Sequence, residues 1–300
     1  MRVNTNLVPD ILADLQQSQS ALNTALQEVS TGKSVTEPSD NPTASAAMVQ
    51  NTVDSADVDQ YTQNIDGLLT TVQSASSVLS NVVTSLTQAV SLGTEGATGT
   101  TSSSNLQSLA SQVQGILTDV VSQANTASGG AYLFGGTENG TAPYTADSSS
   151  PTGYTYNGNN DANQVAIGDN LNVQVSLPGS QLFSNSSNNV LGALSSLVSA
   201  LQSGDSSSIA TATSGVTSAI SYLGQQQAFY SNAETQLNAQ QTALQQDTVT
   251  LTTQATNLVG VNMDVAATQL SQAETDNSAA LAAAAKVLPT TLLDYLSVPQ

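Results

Sequence analysis

The placement of proline limits this chain more than any other feature. The eight prolines stand at 9, 38, 42, 143, 151, 178, 289 and 299, and none falls within 43–142 or 179–288. Proline lacks a backbone donor and clashes with the preceding turn, so it interrupts helices. The two proline-free arms are therefore where long helices can run, and both carry a seven-residue apolar period. In the first, Ile65, Val72, Leu79 and Leu86 recur every seventh residue, with Leu68, Ala75, Val82 and Ala89 between them. Leu106, Leu109, Val113, Ile116, Val120 and Ala124 resume the pattern after a Gly/Ser/Thr-rich break at 93–104. In the second arm, Leu237, Leu244, Leu251, Leu258 and Val265 read as one unbroken ladder. Such a period keeps a narrow seam facing a neighbouring helix over many turns, which predicts helices packed along one another.

The two chain ends repeat the pattern more thinly. Val8, Leu12, Leu15, Gln19, Leu22, Leu26 and Val29 step alternately by four and three, placing a polar Gln19 in mid-seam, where it would set register at some cost in stability. Leu270, Ala273, Asn277, Leu281, Ala284, Leu288, Leu292 and Tyr295 form a comparable C-terminal stripe. Pro289 lies inside it, a residue type that kinks helices. Both stripes are diluted by Ala and Gln. Paired only with each other, the ends are expected to be marginal, and to become ordered when neighbouring subunits cover them. Val8, Leu12, Leu15, Leu22 and Leu26, with Leu270, Leu281, Leu288 and Leu292, are the candidate assembly residues.

Between the arms the character changes. Residues 128–188 hold six of the eleven aromatics and nine of the twenty glycines. "LNVQVSL" puts Leu171, Val173, Val175 and Leu177 on one face, the alternation of a half-buried strand. "QVAI" precedes it across a tight-turn candidate, Gly168-Asp169-Asn170, and "AYLFGG" and "GYTYNG" read as short aromatic strands bounded by glycine. The expected fold is mainly α: a long antiparallel helical bundle or coiled coil with N- and C-terminal helices paired, plus a small β-rich inserted domain. The expected divisions are 1–42 with 262–300 as the terminal assembly domain, 43–127 with 189–261 as the bundle, and 128–188 as the outer insertion.

Charge narrows the function. The chain has 22 acidic residues, three basic ones (Arg2, Lys33, Lys286) and no His, for a formal net charge of −19. Nucleic-acid affinity comes from Lys and Arg neutralising phosphates, so no nucleic-acid partner is expected. An anionic membrane surface is disfavoured for the same reason. Charged residues are 8% of the chain, against about 25% in ordinary domains. Ser, Thr, Asn and Gln replace them, and such a surface can be buried against a neighbour at lower desolvation cost. With neither Cys nor His there is no disulfide, no thiolate or imidazole metal site and no Ser-His or Cys-His pair. The first 17 residues lack the apolar core of a secretory signal, and no window reaches the ~18 apolar residues of a membrane span. Asp54, Asp57 and Asp59 lack the spacing of a calcium loop and read as a solvated helix face. An acidic hydrolase would need convergent carboxylates, and none stand at a recognisable spacing. Asn139-Gly140-Thr141 fits a glycosylation sequon, a triplet common by chance in so Asn- and Thr-rich a chain. No catalytic, cofactor or metal residues are expected.

Gly32-Lys33-Ser34 spells part of a phosphate-binding loop, which also needs a glycine five residues earlier and a preceding strand. That position is Gln27, and the residues before Gly32 belong to the heptad stripe. Gly32 is better read as the left-handed residue past a helix end, with Lys33 at the negative end of its dipole. Pro38 and Pro42 then hold "TEPSDNPT" extended or turned, and Ser39, Asp40 or Asn41 can cap the next helix. Gly32, Pro38, Ser39, Asp40 and Pro42 form the candidate inter-domain turn.

Three stretches carry a family resemblance: "TGKSVTEPSDNPTA" (31–44), "YLFGG" (132–136) and "LLDYL" (292–296). With the order of helix, turn, bundle, Gly/aromatic centre and C-terminal helix, the chain resembles the flagellin superfamily, and within it the hook–filament junction proteins more than filament flagellin. "VNTNL" (3–7) fits either. The resemblance implies a structural subunit outside the bacterial cell, exported unfolded through the flagellar type III apparatus without a cleaved signal. It further implies a homo-oligomeric ring of eleven subunits whose terminal helices form an inner tube. The implied partners are an adjacent hook-associated junction protein, flagellin and an export chaperone. The alternative is the filament flagellin itself.

Overall fold

The computed structural model describes residues 7–296, with side chains for 9–286. Its helices are α1 (Leu7–Thr31), α2 (Pro42–Gly96), α3 (Ser103–Ala124), α4 (Gly179–Leu182), α5 (Val190–Ser203), α6 (Ser206–Val259) and α7 (Met263–Leu296). Six short strands lie between α3 and α4: β1 (Ala127–Ser128), β2 (Ala131–Tyr132), β3 (Tyr144–Ala146), β4 (Tyr154–Tyr156), β5 (Gln164–Gly168) and β6 (Leu171–Gln174). The expected mainly-α architecture with a small β-rich region is what forms. Backbone contacts divide the chain into two units, 1–57 with 247–300, and 58–246.

The larger unit holds the main core. In α2, Ile65, Val72, Leu79 and Leu86 are fully buried, as their spacing predicts. α3 buries Leu106, Leu109, Val113, Ile116, Val120 and Ala124, and packs on α5. Its start is capped by Ser102, whose side chain accepts from the Asn105 amide. α5 is capped by Asn189 and ends at Gly204, left-handed at φ 76°.

The ladder of the second arm differs from expectation. Leu237 and Leu244 are buried, but Leu251 and Leu258 are only half-buried and Val265 is exposed. The helix stops at Val259, so Val265 belongs to α7, and a seven-residue spacing carried across a helix end no longer marks one face. The ladder extends the other way instead. Ile209, Val216, Leu223, Tyr230, Leu237 and Leu244 recur every seventh residue of α6, and all six are buried.

The β-rich region is three separate antiparallel hairpins. β5 pairs with β6 across the anticipated turn, where Asn170 takes φ 55°. The strand read from "LNVQVSL" stops at Gln174. Beyond it Val175, Ser176 and Leu177 are all buried, which an alternating strand cannot do. Phe134, Phe183, Tyr144 and Tyr156 supply the packing these short strands lack. Phe134 meets Phe183 edge to face at 5.3 Å, and Tyr144 lies 5.2 Å from Tyr156. Three hydrogen bonds tie the region to the long helices: Asn64 Nδ2 to the Ala166 carbonyl (2.9 Å), Tyr222 Oη to the Gln181 carbonyl (2.6 Å), and the Leu177 amide to Tyr230 Oη (3.2 Å).

Candidate assembly interface

The smaller unit is built differently. α1 packs against α7, and the connectors beyond them pair in an antiparallel bridge at Lys33 and Gly260. Apart from the half-buried Glu28 at its edge, the buried and half-buried positions of α1 are Ile11, Leu15, Ser18, Leu22, Ala25 and Val29; those of α7 are Ala266, Leu270, Ala273, Asn277, Ala280 and Ala284. Each set steps by four and three, which is a heptad seam. Extended antiparallel from the Lys33–Gly260 bridge, the equal spacing of the two sets would put a larger side chain opposite a small one in nearly every layer: Val29 with Ala266, Ala25 with Leu270, Leu22 with Ala273, Leu15 with Ala280, and Ile11 with Ala284. The middle layer is Ser18 with Asn277, whose Oγ and Oδ1 are buried without a hydrogen-bond partner in the protein.

Two registers compete along α1, and both contain Leu15, Leu22 and Val29. The sequence favours the greasier one, with Leu12, Gln19 and Leu26. The structure selects the other, placing Ile11, Ser18 and Ala25 inward. The expectation that Gln19 interrupts the seam is thereby corrected: Gln19 is exposed, and the polar layer is Ser18. The physical reason lies in the partner. α7 offers mostly alanine at its seam, so the helices approach closely, and a bulky residue fits only opposite a small one. The signal available in the sequence was the matching alanine heptad of α7.

The register choice leaves large apolar side chains uncovered: Leu12 and Leu26 share one edge of α1, whereas Val265 and Leu281 lie on opposite edges of the α7 seam. Leu12 is 52% exposed, Leu26 45%, Val265 50% and Leu281 47%. The only apolar side chains of α1 and α7 that are buried rather than half-buried, among the described residues, are Ala25, Ala266 and Ala284. Of the candidate residues, Leu15, Leu22 and Leu270 therefore lie within the seam, and Leu12, Leu26 and Leu281 beside it. Val8, Leu288 and Leu292 fall on α1 and α7, but their side chains lie outside the described residues. α7 runs through Pro289 to Leu296 as one element.

The connector after α1 bears out the helix-end reading of Gly32. Its φ is +69°, and its amide donates to the Glu28 carbonyl at 2.9 Å. The Ser34 amide donates to the Val259 carbonyl (2.7 Å) and the Val261 amide to the Gly32 carbonyl (3.0 Å), so the two connectors clamp each other. Asp40 does not cap α2. Its carboxylate folds back to accept the Glu37 amide (2.9 Å), the Thr36 amide (3.0 Å) and the Thr36 hydroxyl (3.3 Å). Those bonds, the Glu37 amide foremost, hold its pKa below the ordinary carboxylate value. Asn41 is the cap, accepting from the Ala44 amide at 3.0 Å, and Pro42 takes the first helical position, where its missing donor costs nothing. Ser39 reaches only the Glu37 side chain, and Pro38 is exposed.

Gly260 gives a test of the clamp. A Cβ there would stand 2.3 Å from the Thr256 carbonyl oxygen. Gly260→Ala is expected to cost about 1–3 kcal/mol through displacement of that backbone. Hydrogen exchange should show faster opening at the Ser34 and Val261 amides and little change at Leu79 or Leu117.

Nothing in the described residues resembles a catalytic or metal centre. No group of three or more His, Cys, Asp or Glu stands placed to hold a metal ion, and no described helix is long and apolar enough to cross a membrane. A groove of about 880 Å³ runs along α1 and α7, lined by Asp14, Glu28 and Asp276 among neutral polar residues and the alanines Ala21, Ala25 and Ala273.

The comparisons with known proteins fit this geometry. Residues 3–139 match the bacterial flagellin N-terminal helical region. The chain is 34% identical over 122 residues to flagellar hook-associated protein 3 of Escherichia coli K12, covering 40% of this chain and 38% of that protein. It is 32% identical over 146 residues to flagellar hook-associated protein 3 of Salmonella typhimurium LT2, covering 48% of this chain and 46% of that protein. The matched stretch thus spans less than half the length of these curated relatives. The crystal structure of the flagellar junction protein FlgL from Legionella pneumophila superposes with a TM-score of 0.58 at 14% identity, over 71% of this chain and 100% of that one, a likeness of fold. The resemblance read from the sequence is borne out.

Proposed function

We propose, from a chain that carries the flagellin N-terminal helical region and resembles hook-associated protein 3, that it is a structural subunit of the bacterial flagellum at the hook–filament junction and catalyses nothing. The observation that carries this reading is the terminal pair: a seam closed largely by alanine, with Leu12, Leu26, Val265 and Leu281 left beside it. Large apolar side chains left in solvent along both edges of a seam mark an interaction surface. Copies of the same chain, stacked around a ring, would cover it, and such closed symmetric association reuses one surface in every copy. The terminal unit then gains rigidity from its neighbours, and the β-rich region lies to the outside.

The subunit works outside the cell, exported through the flagellar type III apparatus with a chaperone on its C-terminal helix. In the ring it meets a second hook-associated protein on one side and flagellin on the other. The flagellin region alone fits a filament subunit equally well; the hook-associated relatives favour the junction. Deletion of the gene should leave hooks in place, shed flagellin into the medium and abolish swimming. Gold-labelled antibody should mark the hook–filament boundary of wild-type flagella. Label along the whole filament would make the chain a flagellin instead.

A further inference from the structure

The charge inventory contains something an assembly role does not explain. Twenty-two acidic residues in 300 is not an excess, since an ordinary domain is about 25% charged and half of that is acidic. What is missing is cations. Three basic residues serve the whole chain. α1, α2, α6 and α7 contain only one of them, Lys286. A surface adapted to concentrated salt would add carboxylates; this one has removed lysine and arginine.

We propose that this chain is built to keep its fold in an acidic medium. Acid unfolds ordinary proteins in two ways. Protonating their carboxylates leaves a large uncompensated positive charge, on the order of 35 for an average chain of this length, and it breaks the ion pairs and buried charges that the fold relied on. The first is nearly absent here, and three basic side chains leave little for the second to break. Full protonation of the 22 carboxyls leaves three basic side chains and the terminal amine. No described Asp or Glu is buried, and with no His there is no imidazole to charge inside the core. The buried cluster of the larger unit holds no carboxyl, and its titratable members, Tyr144 and Tyr230, have pKa values raised by burial and stay neutral in acid.

Acidification also relieves repulsion. α1 carries Asp10, Asp14 and Glu28 with no cation, facing an α7 that carries Asp264, Glu274, Asp276 and Asp294 against Lys286. On α2, Asp54, Asp57 and Asp59 stand within six residues.

Two exposed carboxylates bond across the long helices, Glu234 accepting from Gln73 (3.2 Å) and Asp66 from Gln241 (2.8 Å), and a protonated carboxyl keeps a carbonyl oxygen to accept such bonds; the losses elsewhere are local. Asp40, Asp147 and Asp205 have pKa values held below the ordinary carboxylate value, Asp147 at about 2 through the Ser149 and Thr155 hydroxyls. A lowered folded-state pKa contributes stability above the unfolded value and loses it as pH falls through the folded one. All three groups are solvent-facing and bond only to their own neighbourhood: Asp40 and Asp147 close a turn and a hairpin, and Asp205 caps the first turn of α6. Asp40 is joined to Thr36 and Glu37, Asp147 to Ser149 and Thr155, and Asp205 to Ser208.

The test is thermal unfolding of the full chain at low salt, followed by far-UV and near-UV circular dichroism, at pH 7 and at about pH 3, below the carboxylate range. The melt at the lower pH should remain cooperative, with a midpoint no lower than at neutral pH and the tyrosine near-UV signal retained. A lysine-loaded variant provides the contrast: Gln88→Lys, Gln107→Lys, Gln114→Lys, Gln225→Lys, Gln236→Lys and Gln245→Lys, all at exposed helical positions. It should melt higher than the parent at neutral pH and lower than the parent in acid. Loss of the cooperative melt or of the near-UV signal by the parent in acid would overturn the proposal, as would equal acid melts of parent and variant. The measurement is made on single chains and holds whether or not the junction reading does.

Discussion

Leu12→Asp combined with Leu281→Asp is expected to abolish assembly while leaving the free chain's helicity and melting temperature nearly unchanged. Both side chains stand about half exposed beside the α1–α7 seam, so the single chain loses almost no buried area. Surface changes of this kind usually fall within about 0.5 kcal/mol of neutral. In the proposed assembly the same positions would lie under neighbours. Each leucine then contributes about 1.5–3 kcal/mol of burial, and an unpaired carboxylate in its place adds a desolvation cost. Repeated in every copy, that loss should prevent ring formation, read as absence of the protein from detached filaments and loss of swimming. Ala25→Asp supplies the opposite signature, because Ala25 is buried within the seam. It should destabilise the terminal unit of the free chain and speed its amide exchange. If the leucine pair melts the free chain as much as Ala25→Asp does, the exposed leucines belong to the monomer's own core and the assembly reading fails.

The second large effect is expected at Tyr230, a fully buried rung of the α6 ladder. Its ring stacks edge to face on Phe229 at 5.2 Å, and its hydroxyl accepts from the Leu177 amide at 3.2 Å. Burial raises its pKa, so it stays neutral throughout the working range. Tyr230→Ala should cost about 3–5 kcal/mol, as large-to-small changes of buried aromatics do. Tyr230→Phe keeps the ring and leaves the Leu177 amide unpaired, which should cost about 1–3 kcal/mol. Chemical denaturation of both variants separates the cavity from the hydrogen bond. A Phe variant as stable as the parent would show that the bond between α6 and the β-rich region contributes nothing net.

Much of this could be read in advance. The α2 and α3 heptads were legible because a run of large aliphatics at one spacing fits only one helix face. Gly32 was legible as a helix end because a phosphate loop needs a glycine where Gln27 stands. The α6 ladder above Leu237 was less visible, since Gly215, Gly224 and many Ser and Thr residues separate its rungs. In the α1 stripe two registers were equally regular, and hydrophobicity alone pointed to the wrong one.

By itself, the sequence determined the helical arms, the β-rich interruption, the helix-end turn at Gly32 and the near absence of positive charge, because each follows from local conformation or residue count. Only the tertiary structure decided which face of α1 turns inward, that Asn41 caps α2 while the Asp40 carboxylate merely closes a turn, and where the α6 ladder begins and ends. Those choices depend on the shape of a partner hundreds of residues away: the alanines of α7 admit Ile11 and Ala25 and leave Leu12 and Leu26 to the solvent, and no property of α1 alone contains that information.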